Sequence, residues 1–405
     1  MIMEKVTEHS VQWKTMKLGD ICEPSSEKYN PLTESLFQDC IEMENINQES
    51  GTINGKSDIT KLLSLKTKFH KGEVLYGKLR PYLRKYWLAD FDGACSTEIW
   101  VLKSAENIDN RFLFYLFQSE FINKIANLSS GTKMPRADWK LMATQEVNIP
   151  YKNNNPDLYA QRRIAAILSA ADKVIEQTRQ LISKYKSIKQ GMMEDLLKPK
   201  EGWKKVKLGE VCERITDGSH DSPKAIEEGY FMPSVKDMSY NCFDFSSCKQ
   251  ISENDYLRLK SSGCKPDIGD VLIAKDGSIL KYCFVVEEDL PIVILSSIAI
   301  LKPKQTTIDS HFLSYYFQKR DVVNDVVENY KSGTGVPRIV LRNFEKIEIT
   351  YPNALQEQRR IAKILSGIDR KIEAEEKVLE KYEKMKKGLM ERMLMFQTIT
   401  NNKNI

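Results

Sequence analysis

The amino-acid sequence is written twice, and no other feature limits its fold as much. Trp13-Lys-Thr-Met-Lys-Leu-Gly-Asp-Ile-Cys-Glu23 returns as Trp203-Lys-Lys-Val-Lys-Leu-Gly-Glu-Val-Cys-Glu213, 203 − 13 = 190 residues later. Phe112-Leu-Phe-Tyr-Leu-Phe-Gln118 returns at Phe312 to Gln318, an offset of 200. Ser130-Gly-Thr-Lys-Met-Pro-Arg136 returns as Ser332-Gly-Thr-Gly-Val-Pro-Arg338, an offset of 202, and Gln161-Arg-Arg-Ile-Ala165 as Gln358-Arg-Arg-Ile-Ala362, an offset of 197. The matches keep their order. A tandem duplication of a unit of about 195 residues explains them, with small insertions and deletions, and predicts two domains of one fold.

Each copy changes period partway along. The first part carries short apolar or alternating runs, such as Glu73-Val-Leu-Tyr76, Ile99-Trp-Val-Leu102, Val271-Leu-Ile-Ala274 and Cys283-Phe-Val-Val286, punctuated by Gly, Asp and Pro. That pattern predicts short strands in a mixed α/β domain, with one helix near 110–127 and one near 309–328. The second part is helical. Ile167, Ala171, Val174, Thr178, Leu181, Tyr185, Ile188 and Met192 are spaced 4 and 3 in alternation, a heptad seam. Its counterpart runs through Ile361, Leu365, Ile368, Ile372, Leu379, Tyr382, Leu389 and Met393, with Glu375 breaking the stripe. Each helix is about 40 residues, hence about 60 Å long. A single apolar stripe of that length needs a partner. It either packs on its own globular domain or pairs with the other copy, antiparallel, and the second is the favoured expectation.

Composition excludes several classes. Of 405 residues, 41% are hydrophobic and 29% charged, an ordinary globular balance. The longest apolar run, Ile292 to Leu301, is too short to span a bilayer, and the N-terminus lacks the apolar stretch of a secretory signal, so a cytoplasmic, non-membrane protein is expected. Eight scattered cysteines without CxxC spacing and four distant histidines predict neither a disulfide framework nor a metal site. Gly72-Glu-Val-Leu-Tyr-Gly-Lys78 imitates the start of a P-loop, but Leu79 stands where Ser or Thr would hold Mg²⁺, and Pro81 forbids the following helix. No nuclease, methyltransferase or covalent-catalysis motif stands out, so the chain is expected to be non-catalytic.

The informative loops are basic. Lys78-Leu-Arg-Pro-Tyr-Leu-Arg-Lys85 packs four cations and a tyrosine into eight residues, suited to phosphate and base contacts. The bland alternative is a solvated charged edge. Ser-Gly-Thr-x-x-Pro-Arg offers close backbone approach and hydrogen bonds to a phosphate; from one copy alone a structural turn would be nearly as good an account. The DNA-contact candidates are Lys78, Arg80, Tyr82, Arg84, Lys85, Thr132, Lys133 and Arg136 in the first copy. Those in the second are Lys275, Ser278, Lys281, Thr334 and Arg338.

The Trp-x4-Leu-Gly opening, the Leu-Arg-Pro-Tyr-Leu-Arg-Lys run, the repeated Gly-Thr-x-x-Pro-Arg and the two Gln-x-Arg-Ile-Ala-x-Ile-Leu-Ser helices resemble the specificity subunit of type I restriction-modification systems, over residues 13–397. The resemblance implies two target recognition domains, each reading half of a split site in double-stranded DNA, and an antiparallel two-helix coiled coil with approximate two-fold symmetry. It divides the chain into recognition domains at 1–155 and 201–353, helices at 156–200 and 354–397, and a polar tail at 398–405. The helices would set the half-site spacing and dock two methyltransferase subunits, with restriction and translocase subunits joining them. This chain would hold no cofactor; S-adenosylmethionine, ATP and Mg²⁺ would belong to the partners. Ile215-Thr-Asp-Gly-Ser-His220 and Pro223 resemble a loop of one class of recognition domain, which adds Asp217, Ser219 and His220 to the DNA-contact candidates of the second copy; the first copy has Glu23-Pro-Ser-Ser-Glu27 there, so the two halves are expected to read different sequences. Two rival readings are a self-sufficient DNA-modifying enzyme and a structural coiled-coil adaptor without DNA binding.

Overall fold

The structure, a computed structural model, describes residues 11–128, 134–333 and 335–394. It divides into two units, one made of Met1–Arg179 with Val378–Ile405 and the other of Gln180–Lys377. The expected boundaries near 155 and 353 therefore fall inside the units, and each unit holds a globular part plus a piece of each long helix.

In the first unit Gln12–Lys17 pairs antiparallel with Glu146–Lys152. The chain then turns through a four-residue helix, Leu18–Ile21, whose two apolar ends are fully buried. Gly19 packs closely there: a Cβ would lie 3.1 Å from the Ala143 Cβ, close enough that Ala143 would have to give by a few tenths of an ångström. An antiparallel sheet follows, ordered Cys22–Pro24, Ile99–Ser104, Val74–Gly77, Tyr86–Leu88. Lys28–Tyr29, Lys66–Phe69, Gly93–Ser96, Asp39–Ile41 and Ser57–Asp58 form a second sheet, parallel only where Asp39–Ile41 meets Gly93–Ser96. The helix expected near 110–127 is two, Asn110–Gln118 and Glu120–Ala126. Asp109 caps the first and Ser119 the second, each side chain accepting from backbone N–H groups of the first turn.

The second unit repeats the frame. Trp203–Lys207 pairs with Glu348–Pro352, and Cys212–Asp217, Ile298–Pro303, Val271–Ala274 and Cys283–Val285 form the antiparallel sheet. Asp309 caps Ser310–Gln318, and Arg320–Tyr330 follows. Among the described residues of this unit no five-stranded sheet recurs. A two-stranded ribbon, Tyr230–Phe231 with Gln250–Ile251, and the helix Glu253–Ser261 stand in its place.

The long helices run Leu158–Leu196 and Leu355–Leu394. Each starts on the core of its own copy, through Ile164, Ala165 and Leu168 in one and Ile361, Ala362 and Leu365 in the other. The repeated glutamine of the Gln-Arg-Arg-Ile-Ala motif seats each start. Gln161 Oε1 accepts from Asp109 N at 2.8 Å while its Nε2 donates to Asn107 O at 3.1 Å; Gln358 does the same with Asp309 N and Thr307 O, at 2.8 and 3.1 Å. The helices also lie along each other. In the first unit Arg179 pairs with Glu383, and in the second Lys186 pairs with Glu376, both at 2.7 Å. Within each unit partner numbers fall as the first helix rises, from Asp172–Lys386 to Arg179–Glu383 in the first and from Lys186–Glu376 to Lys189–Asp369 in the second, so the pairing is antiparallel.

The buried seam of the first helix differs from the expected one. Leu168, Ile175, Ile182 and Lys189 are buried, whereas Val174 and Ile188 are exposed, and Ile167 and Leu181 lie at its margin. Two heptad stripes share Ala171, Thr178, Tyr185 and Met192. The expected stripe completes them with an all-apolar set, and the observed one takes the set one residue later, which contains Lys189. An acidic partner on the other helix makes that lysine acceptable inside. On the second helix Ile361, Leu365 and Ile372 are buried, and Ile368, Leu379 and Tyr382 are half-buried. No described helix is long and apolar enough to cross a membrane.

Candidate nucleic-acid interface

The two motifs chosen as DNA loops are joined in each unit by the same backbone clasp. In the first unit Arg80 N donates to Pro135 O and Ala137 N to Lys78 O, both at 2.8 Å, around an antiparallel bridge between Leu79 and Arg136. In the second, Gly277 N donates to Pro337 O at 2.8 Å and Ile339 N to Lys275 O at 3.0 Å, around a bridge between Asp276 and Arg338. The residues that follow each sheet strand, 78–80 and 275–277, are thus tied to the Pro-Arg end of the Gly-Thr-x-x-Pro-Arg loop. Thr132, Lys133 and Thr334 lie outside the described residues.

Side chains at the clasp differ between copies. Arg80 has φ 51° and Gly277 φ 70°, equivalent left-handed positions since 277 − 80 = 197. Glycine takes that conformation freely, whereas arginine pays about 1 kcal/mol for it. Arg80 is exposed, and so is Tyr82, on a 3₁₀ turn pinned by the buried Pro81. Arg136 is half-exposed and forms a forked pair with Glu98, at 2.9 and 3.2 Å, which holds its guanidinium plane in place. Lys78 is half-buried. With Trp100, Arg136, Trp139 and Lys140 it lines an open concavity of about 750 Å³, floored by two indoles 5.4 Å apart, edge to face. The indoles escaped the sequence reading; Trp139-Lys140, three residues past Arg136, was the available signal. Arg338 and Lys281 are exposed, the latter over the Tyr282 ring at 5.0 Å, and Ser278 is half-buried.

Other candidates are committed inward. Arg84, with 17% of its side chain exposed, donates to Glu120 and to Gln118 O and lies 3.4 Å from Glu49. The Arg84 guanidinium holds the Glu120 carboxyl below its ordinary range, through their hydrogen bond above all. Lys85 donates to Met43 O, and burial lowers its pKa. Lys275 is enclosed between Asp217 and Asp276, both 3.3 Å away, with 7% of its side chain exposed. Ser219 is buried and closes a turn with the backbone of Asp221. His220 is exposed, its Nε2 3.4 Å from Asp217. Arg84, Lys85 and Lys275, expected as DNA contacts, each spend hydrogen bonds on the fold, because an enclosed cation needs acceptors close by.

Among the described residues no group of three His, Cys, Asp or Glu could hold a metal ion. The eight cysteines carry free thiols, and burial pushes Cys212 and Cys283 up to about 12, leaving them protonated near neutrality.

A duplicated mixed α/β frame, the same backbone clasp in each copy and two paired long helices define the architecture of this chain. The family described as "Type I restriction modification DNA specificity domain" matches residues 10–186 and again 200–384, and the chain belongs to it. Within that family the chain is a specificity subunit, the recognition component and not the catalyst; the enzyme and adaptor readings are not favoured. The specificity subunit of the type I restriction enzyme MjaVIII of Methanocaldococcus jannaschii is 26% identical over 340 residues, 76% of this chain and 75% of that subunit. That of EcoDI from Escherichia coli is 25% identical over 186 residues, 45% of this chain and only 40% of its own length. Among solved structures, the S subunit of a type I system from M. genitalium aligns with TM-score 0.59 at 16% identity, covering 95% of this chain and 97% of that one. A chain from a study of type I complex assembly and conformational transition aligns with TM-score 0.57 at 22% identity, covering 94% and 97%. These likenesses show the fold.

Proposed function

We propose that each unit reads one half of a bipartite site in double-stranded DNA through its clasp, and that the two halves differ in sequence. The supporting observation is the clasp itself, the same in its backbone in both units and different in its side chains. Backbone sameness suits a common approach to the phosphates, and unlike side chains suit different bases. Arg80, Tyr82 and Arg136 lead in the first unit; His220, Lys281 and Arg338 lead in the second.

The long helices set the spacing between half-sites and dock two methyltransferase subunits, to which restriction and translocase subunits add. S-adenosylmethionine, ATP and Mg²⁺ act in those partners, and this chain binds none of them. A duplex-DNA substrate and partners of this kind place the protein in the cytoplasm. The test is DNA binding by the assembled complex across a salt series, with Arg80→Ala, Arg136→Ala and Arg338→Ala compared. Each variant that removes a phosphate contact weakens binding and reduces the salt slope by about 1. Wild-type affinity and slope in all three would overturn the interface.

A further inference from the structure

Each unit contains a polar tetrad, its ion pair half-buried in the first unit and buried in the second, and the two are copies. In the first, Lys386 Nζ lies 2.5 Å from Asp172 Oδ1 and donates to Gln118 Oε1 at 3.1 Å, while Tyr115 Oη donates to Asp172 Oδ2 at 2.7 Å. In the second, Lys189 Nζ lies 2.8 Å from Asp369 Oδ1 and donates to Gln318 Oε1 at 3.2 Å, while Tyr315 Oη donates to Asp369 Oδ2 at 2.7 Å. Each lysine also sits over the tyrosine of its own tetrad, 5.6 and 4.9 Å from the ring centroid. The offsets are those of the repeat: 369 − 172 and 386 − 189 are both 197, and 315 − 115 and 318 − 118 are both 200. Lys189 and Asp369 are the more deeply buried pair, with 5% and 8% of their side chains exposed, and Tyr240 adds a hydroxyl to that lysine.

We infer that these tetrads are the positioning groups that set the register of the two long helices. An apolar heptad seam repeats every seven residues and so discriminates weakly against a slip of one heptad. The charges do not repeat. Both native pairs have the same sum, 172 + 386 = 189 + 369 = 558. A slip to a sum of 551 would bring Asp172 opposite Leu379, Lys189 opposite Ala362, Asp369 opposite Ile182 and Lys386 opposite Ala165. Four charges would then lose their partners, those of Lys189 and Asp369 deep in the interface, whereas the heptad positions themselves would meet again. A buried polar group that fixes coiled-coil register is an established use of such residues, and replacing a whole buried ion pair by apolar residues is often neutral or stabilising.

The test is disulfide cross-linking of the full chain in a Cys242→Ser background. Arg179→Cys with Glu383→Cys reports the native register, and Arg179→Cys with Glu376→Cys reports the slipped one. The native chain cross-links only the first pair. With Asp172→Leu, Lys189→Met, Asp369→Leu and Lys386→Met together, the slipped pair forms at least fivefold more. Two further variants guard against misfolding of that one. Asp172→Lys with Lys386→Asp swaps a pair across the helices and keeps the native cross-link. Asp172→Lys with Lys189→Asp makes a similar exchange on one helix, sets like charges against each other and loses it. A folded tetrad-free chain that stays in the native register, or the two swaps behaving alike, would overturn the inference. It also rests on the proposed function for one consequence: in the assembled complex the tetrad-free chain methylates sites of neighbouring spacer lengths. Cross-linking is read without DNA, so a failure of the DNA reading and a failure of the register reading are distinguishable.

Discussion

Arg80 and Arg84 stand four residues apart in one basic run, and the structure gives them opposite duties. Arg80 is exposed at a left-handed position, while Arg84 ties the loop to Glu120 and to the end of the Asn110–Gln118 helix. Arg84→Ala therefore lowers stability by about 1–3 kcal/mol, because a half-buried carboxylate and a carbonyl lose their donor. Arg80→Ala leaves stability unchanged and acts on the salt slope. Denaturant titration of the two variants separates the duties. A sequence shows the density of cations but not which of them find acceptors inside, and the same blindness hid the inward roles of Lys275 and Lys189. The tetrad tyrosines give a pH dependence. Burial first, and then the adjacent aspartate, raise the pKa of Tyr115 and Tyr315 above the ordinary tyrosine value. Such groups contribute stability that is complete below the unfolded value of about 10 and is lost as pH rises beyond it. Melting temperature should fall above about pH 10, and less steeply in Tyr115→Phe with Tyr315→Phe. An identical slope in that double variant would contradict the assignment.

Among elements, the long helices were the most legible, since period and length agree. Their seam was not, because two apolar stripes one residue apart both satisfy a heptad. The choice depended on Asp369, 180 residues from Lys189 in sequence. Ile182→Asp should therefore cost several kcal/mol, whereas Ile188→Asp on the exposed stripe should stay within about 0.5 kcal/mol. Urea unfolding of the two variants checks this, and the reverse order would restore the expected seam. The four-stranded sheets were visible as apolar runs. The five-stranded sheet of the first unit was not, since strands as short as Lys28–Tyr29 and Ser57–Asp58 carry no period to read. Nor did the sequence show that the short helices break at Ser119 and Lys319, where one extended residue interrupts a continuous apolar pattern.

At the scale of the whole molecule the duplication carries the argument. It accounts for two frames, two clasps and two tetrads, and for a division that runs through the long helices at 179/180 and 377/378 instead of at their ends. The central claim is that recognition is modular, one half-site to each copy. The unlike second layers, a five-stranded sheet in one unit and a ribbon with a helix in the other, argue that the half-sites differ. Mismatched base pairs typically cost about 1–3 kcal/mol each and add for separated positions, so two independent readers should behave as independent terms. The most direct measurement replaces residues 203–351 with the equivalent segment of a relative and sequences the methylated sites in cells that carry the chimera and its partner subunits. The account predicts that one half of the methylated sequence changes while the other half and the spacer remain. A folded, active chimera that alters both halves together would contradict it.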